Sequence, residues 1–156
     1  DNIVFFSEMP KDGSSYIKIL GLDGSKRTEK WIRKDYVRVP ENFGSYKVFI
    51  SKANGSGAFG ETLSAPIIAE PGIGHTQTFM SIGKCESEQE AIAITKYVKT
   101  KFARAKWKCV PLQEVTAHSD IDWSKSVAEI DQQLYRKYDL TADEIEFIET
   151  HVKEMA

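Results

Sequence analysis

Tyr46-Lys47-Val48-Phe49-Ile50-Ser51-Lys52-Ala53-Asn54-Gly55-Ser56-Gly57 is a short strand pattern that runs straight into a glycine-rich polar loop. Successive strand side chains alternate between faces, so Lys47, Phe49 and Ser51 share one face and Val48, Ile50 and Lys52 the other. The loop continues through Ala58 and Phe59 to Gly60, offering backbone donors with no β-carbon at three positions. Two readings stay open for this stretch. It is a polar hairpin turn, or a loop that approaches a phosphate backbone or a base edge closely, with lysines at its root supplying charge.

Outward from this strand, the chain up to about Ile82 reads as strands and loops. Ile3–Phe6 and Ser15–Leu22 are apolar or alternating runs, separated by the turn signal Lys11-Asp12-Gly13-Ser14. Leu22-Asp23-Gly24-Ser25 closes the second run. Thr28–Lys34 reads either as a short helix or as an extended basic segment, ending before Val39-Pro40. Pro66–Ile68 and Thr78–Ile82 are further strand candidates, separated by Pro71-Gly72-Ile73-Gly74.

Beyond Ile82 the period changes. Ser87-Glu88-Gln89-Glu90 is a capping-box pattern that opens a helix from about Glu88 to Arg104. Ala91, Ile94, Val98 and Phe102 mark its apolar stripe, which leaves Lys96, Lys99 and Lys101 toward solvent or a ligand. A short strand at Trp107–Leu112 is expected to complete the sheet. Ser126–Glu129 and Thr141–Glu144 are two more capping boxes, each followed by apolar residues at helical spacing. The expected fold is therefore α+β: a mixed, curved β-sheet with a flanking helix and a C-terminal helical tail. The expected division is a recognition domain over residues 1–118 and an acidic helical tail over residues 119–156 that packs on it or on a domain outside this stretch.

The 156 residues and their ordinary apolar content suit one domain with a real core. No apolar run reaches the roughly 18–20 residues needed to cross a bilayer, and no leader pattern is visible. Cys85 and Cys109 lack metal-type spacing and read as buried thiols of a reducing compartment, with the cytoplasm as default. The start at Asp1, directly before strand-like residues, reads as a domain cut from a longer protein. The net charge of −2 hides segregation. Lys11–Lys52 holds ten Lys/Arg against five Asp/Glu, Lys96–Lys108 six against none, and Glu114 onward four against eleven. A mild total charge therefore leaves a polyanion partner open, because binding depends on the patch.

Catalytic motifs are not found in this sequence. His75, His118 and His151 lack ligand spacing with each other or with the cysteines. There is no phosphate-binding Walker loop and no dinucleotide fingerprint; Gly55-Ser56-Gly57 lacks the third glycine at the needed offset. No GxSxG nucleophile elbow occurs. The chain reads as a recognition or scaffolding piece with no catalytic residue of its own.

Several segments in order carry a resemblance: Tyr46–Lys52 with its loop, Gly74–Phe79, Lys99–Arg104, Val110–Gln113, Asp120–Ser124, Glu129–Tyr138 and Leu140–Glu149. The series resembles the C-terminal portion of bacterial type II restriction-modification adenine-specific DNA methyltransferases, from about Tyr46 onward. The resemblance implies a DNA target recognition domain. Its partners would be double-stranded DNA and an upstream catalytic domain of the same chain, with no membrane. The Asn-Pro-Pro-Tyr-type motif and the S-adenosylmethionine pocket of that family belong to the upstream domain, so no cofactor is expected in this stretch. A nuclease centre, if the parent carries one, falls outside it as well. Two departures from the family pattern stand out. The link between Arg104 and Trp107 is short, as though a loop were missing, and His75 stands where a small residue or cysteine is expected.

On this reading Lys47 and Lys52 are phosphate anchors, and Asn54 and Gln77 are amides able to pair bidentately with adenine. Gly55, Ser56, Gly57 and Thr76 position the backbone, His75 lies in the same loop system, and Lys99, Lys101 and Arg104 add a basic ridge. The alternative is a protein-interaction or scaffolding module without DNA binding, resting on the amphipathic acidic tail.

Overall fold

The structure is a computed structural model that describes residues 4–53, 58–105 and 109–155. It is α+β, with two three-stranded sheets and four α-helices among the described residues. The strands expected in a single sheet divide between two. The first sheet begins with a hairpin of β1 (Tyr16–Asp23) and β2 (Lys26–Arg33), registered from Tyr16 opposite Arg33 to Asp23 opposite Lys26. Gly24 opens the two-residue turn at φ +62°, the left-handed conformation that such hairpins need at that position.

β2 is the segment that read equally as helix. Pairing with β1 decides it, because Ile32 then packs with Ile17 and Ile19 on one face. On the other face Trp31 lies opposite Lys18, whose ammonium is 5.6 Å from the indole centroid. Of the run Ile3–Phe6, Phe6 makes a single antiparallel bridge to Trp31, and Ile3 lies outside the described residues. A third strand, β5 (Ile73–His75), pairs parallel to β1 inside the stretch read as a separator. Three residues carry too little alternation to announce a strand.

The second sheet has the order β4 (Ile67–Ala69), β3 (Tyr46–Ser51), β6 (Phe79–Cys85), all antiparallel. Its central strand β3 is buried on both faces. Phe49 packs with Leu20, Ala69 and Phe79 between the sheets, while Val48 and Ile50 pack with Cys85 and Ala91 beneath a helix. The alternation read from the sequence is the one observed; each face simply has a layer to cover it.

That helix, α1 (Glu88–Lys99), starts at Ser87, whose hydroxyl accepts Glu90 N–H at 3.3 Å. The Glu90 carboxylate turns to Glu86 N at 2.9 Å. The single helix expected to reach Arg104 breaks at Thr100, and α2 (Lys101–Ala105) begins anew. Thr100 makes the break by capping both ways: its hydroxyl donates to Tyr97 O at 2.6 Å and accepts Ala103 N–H at 3.1 Å. The buried carboxylate of Asp131 then takes Lys101 N–H (2.9 Å) and Phe102 N–H (2.8 Å), the donors a new helix start leaves open.

α3 (Val127–Lys137) and α4 (Ala142–His151) both begin with closed capping boxes, at Ser126/Glu129 and Thr141/Glu144. Their apolar sides join Tyr97, Phe102 and Ala103 in one core with Ile121, Ile130, Leu134, Tyr135, Ile148 and Val152. The acidic tail thus packs on α1 and α2. Cys109 to Leu112 form no strand. Pro111 has no N–H for a ladder, and its carbonyl accepts the Tyr97 hydroxyl at 2.7 Å. Trp107 and Lys108 lie outside the described residues. Among those described, no helix is long and apolar enough to cross a membrane.

Candidate nucleic-acid interface

Two groups of the residues singled out in the sequence meet at one end of the stacked sheets. β3 runs out at Lys52, whose backbone N–H donates to Thr78 O at 3.0 Å. The turn between β5 and β6 carries His75, Thr76 and Gln77, and Thr76 N–H donates to Leu20 O at 2.9 Å. Thr76 and Thr78 hydroxyls are 2.7 Å apart. The Lys52 side chain and the Gln77 amide are exposed and make no hydrogen bond to a described residue. His75 is half-buried, its ring edge-on to Phe49 at 4.8 Å, and Nδ1 lies 2.8 Å from Thr76 O. That short contact to a carbonyl requires a proton on Nδ1, so His75 braces the turn by donating to it.

A third element contributes a residue that the sequence reading passed over. Arg27, opposite Leu22 at the tip of the hairpin, holds its guanidinium 6.0 Å from the centroid of Phe79, the residue after Thr78. Its only sequence signal was membership of the basic stretch Lys11–Lys52; the register of β2 brings it to the site. Lys52, Thr76, Gln77 and Thr78 thus lie where β3 ends against the turn before β6, and Arg27 reaches the same end from the first sheet, over the Phe79 ring. The loop residues Asn54, Gly55, Ser56 and Gly57 follow Lys52 directly and lie outside the described residues.

Lys47 does not belong to this edge. It is 1 % exposed, on the same face as Phe49 and therefore between the sheets. Its ammonium donates to Ser45 O (2.9 Å), Glu70 O (3.1 Å) and Phe43 O (3.2 Å), with the Phe43 and Phe49 rings each 5.8 Å away. Burial pushes its pKa down. A lysine so enclosed is a structural cross-link and presents no charge to a phosphate.

The expected basic ridge is also rearranged. Lys99, Lys101 and Arg104 line a groove of about 610 Å³ together with Lys96, Lys125 and the start of α3. Folding already engages most of these cations. Lys96 Nζ donates to Trp123 O and Lys125 O, both at 2.8 Å, and to Ser124 O at 3.3 Å. Lys101 pairs with Glu149 at 2.5 Å. Arg104, 5 % exposed, donates to Lys99 O (3.1 Å), Glu61 O (3.2 Å) and Lys153 O. The break at Thr100 is the cause, because it turns Lys101 and Arg104 away from the exposed side of α1. Lys99 is half-buried in this groove.

Among the described residues there is no group of three His, Cys, Asp or Glu side chains that would hold a metal ion. No family model, no curated protein and no solved structure matches the chain.

Proposed function

We propose that this chain reads double-stranded DNA as the target recognition domain of an adenine-specific methyltransferase of the restriction-modification kind. The observation that carries the reading is the placement of Lys52, Thr76, Gln77 and Thr78 at the end of the second sheet, just before the glycine loop in sequence, with Arg27 reaching Phe79 from the first sheet. Lys52 and Arg27 neutralise phosphates, the threonine hydroxyls bond phosphate oxygens, and the Gln77 amide pairs with an adenine edge in the major groove. Methyl transfer from S-adenosylmethionine, to an adenine turned out of the stack, belongs to catalytic sequence outside this chain. A cytoplasmic location goes with this reading. The ordered segments from Tyr46 to Glu149 support it, and Lys47 and Arg104 are no longer part of it.

Titration of fluorescent duplexes with the protein at increasing salt tests it. The expected result is binding whose logarithm falls linearly with the logarithm of salt concentration. Lys52→Ala and Arg27→Ala should each reduce that slope by about 0.9. Gln77→Ala should relax sequence preference and leave the slope alone. Absence of binding to any duplex at roughly 50 mM salt, or slopes unchanged in both cation variants, overturns the proposal.

A protein-interaction role is the second reading. The apolar side of the acidic tail that first suggested it is largely used in the core, through Ile130, Leu134, Ile148 and Val152. What remains on the surface is a smaller, aromatic feature.

A further inference from the structure

Phe59 and Phe147 are 54 % and 50 % exposed. Their rings lie 5.7 Å apart at 46° and form the walls of a hollow of about 320 Å³, floored by Ala105, Leu140 and Ile148. His151, one turn beyond Phe147, stacks on its ring at 4.2 Å and fixes its orientation. Asp143, one turn before Phe147, stands on the rim. Its carboxylate and that of Glu146 have no partner among the described residues. The neighbouring Glu144 carboxylate is engaged by Thr141 in the capping box.

Two half-exposed aromatic side chains beside the Asp143 carboxylate form a surface of defined chemistry. An aliphatic occupant would strip water from the rim carboxylate with nothing in return, and an anionic one would be repelled. A planar cation satisfies both parts: its face stacks on the rings while its N–H groups fork onto a carboxylate. The volume lies at the lower end of the range for ligand sites, suited to one long side chain. Glu146, on the exposed side of α4 one residue before Phe147, adds longer-range attraction for a basic segment.

We propose that the Phe59–Phe147 hollow binds an arginine side chain presented by a basic, extended segment of a partner protein. The site lies on α4 and the loop after β3, and it stands independently of DNA reading at the sheet ends.

A short labelled peptide of alternating arginine and glycine serves as the probe, with lysine–glycine and glutamate–glycine peptides for comparison. Binding is followed by anisotropy and by NMR of the phenylalanine ring signals. The expected result is arginine over lysine, no binding of the glutamate peptide, and shifts centred on Phe59 and Phe147. Phe147→Ser and Phe59→Ser should each weaken binding roughly 5- to 30-fold. Asp143→Lys should weaken it at least as much. Half-exposure of both rings lets these variants keep the parent melting profile, which is checked in parallel. Equal affinity of the serine variants, or equal binding of arginine and lysine peptides without ring shifts, reduces the effect to diffuse attraction by α4 and overturns the proposal. A concentration-dependent dimer abolished by Phe147→Ser would make a second copy the occupant, which also overturns it.

Discussion

Lys47 shows how one residue's role turns on its layer. In sequence it is a strand lysine beside a polar loop, the usual place for a phosphate contact. The alternation nevertheless pairs it with Phe49, and Phe49 belongs to the core, so the burial of Lys47 follows from the same pattern that placed the strand. What no pattern announced is the set of carbonyls that receives its ammonium, from Phe43, Ser45 and Glu70. Phe43 O and Glu70 O also accept Gly72 N–H and Ile73 N–H, which limits what is lost when the ammonium goes. Lys47→Met keeps the apolar stem and removes the charge, and should destabilise the fold by about 1–3 kcal/mol in urea denaturation. If DNA binding is present, this variant should retain its salt slope, whereas Lys52→Ala should not. Lys52 and Gln77 were legible as exposed polar groups. Arg27 was not, because its place depends on a strand register that only the β1–β2 pairing sets.

At the scale of elements, the capping boxes at Ser126 and Thr141 were readable because a cap is local chemistry, complete within four residues. The break at Thr100 was unreadable for the opposite reason: it needs Asp131, thirty residues away in sequence. Asp131 sits 3 % exposed at the head of α2, and burial raises its pKa to about 6 against the donors that would lower it. Between about pH 4 and 6 the folded protein therefore holds a proton that the unfolded chain releases, so stability falls as pH rises through this window and is constant above it. A shift of two pH units corresponds to about 3 kcal/mol. In Asp131→Asn this component is absent. The stability advantage of the parent over the variant should therefore be largest near pH 4 and shrink toward pH 6.5, measured by denaturation at each pH. The end of α3 offers a test of opposite sign. Asp139 has φ +48°, and Leu140 N–H donates to Tyr135 O while Asp139 N–H donates to Arg136 O, the paired bonds of a Schellman ending. Asp139→Gly removes the strain of a β-carbon in this conformation and should stabilise the protein by roughly 0.5–1 kcal/mol in thermal unfolding.

For the whole molecule, the α+β class and the order of most elements followed from periodicity, while the layering did not. Charge read along the chain suggested a free basic helix and an acidic tail packed on this domain or on the catalytic one. In space the two meet, with Lys96 on the carbonyls before α3 and Lys101 on Glu149 of α4. The layers of sheet and helix are joined where the segment after β3 meets the residues after α4. Lys153 N–H donates to Gly60 O at 2.9 Å, Leu63 N–H reaches Met155 Sδ at 3.3 Å, and Arg104 bonds Glu61 O and Lys153 O together. Gly60 has φ +73°, and a β-carbon there would strike the His151 carbonyl and Val152 Cα. Gly60→Ala should therefore destabilise the protein by about 3 kcal/mol or more in urea denaturation. The clasp also has a bearing on time. Leu63 and Met155 are 92 residues apart in sequence, so closing it carries a large loop entropy that the β1–β2 hairpin and the α3–α4 pair do not face. The local units are therefore expected to form first, with the clasp closing after the main barrier. Loosening it at Gly60 should speed unfolding by most of the lost stability and leave the refolding rate nearly unchanged in stopped-flow kinetics. The lifetime of the native state, more than the speed of reaching it, is what this junction controls.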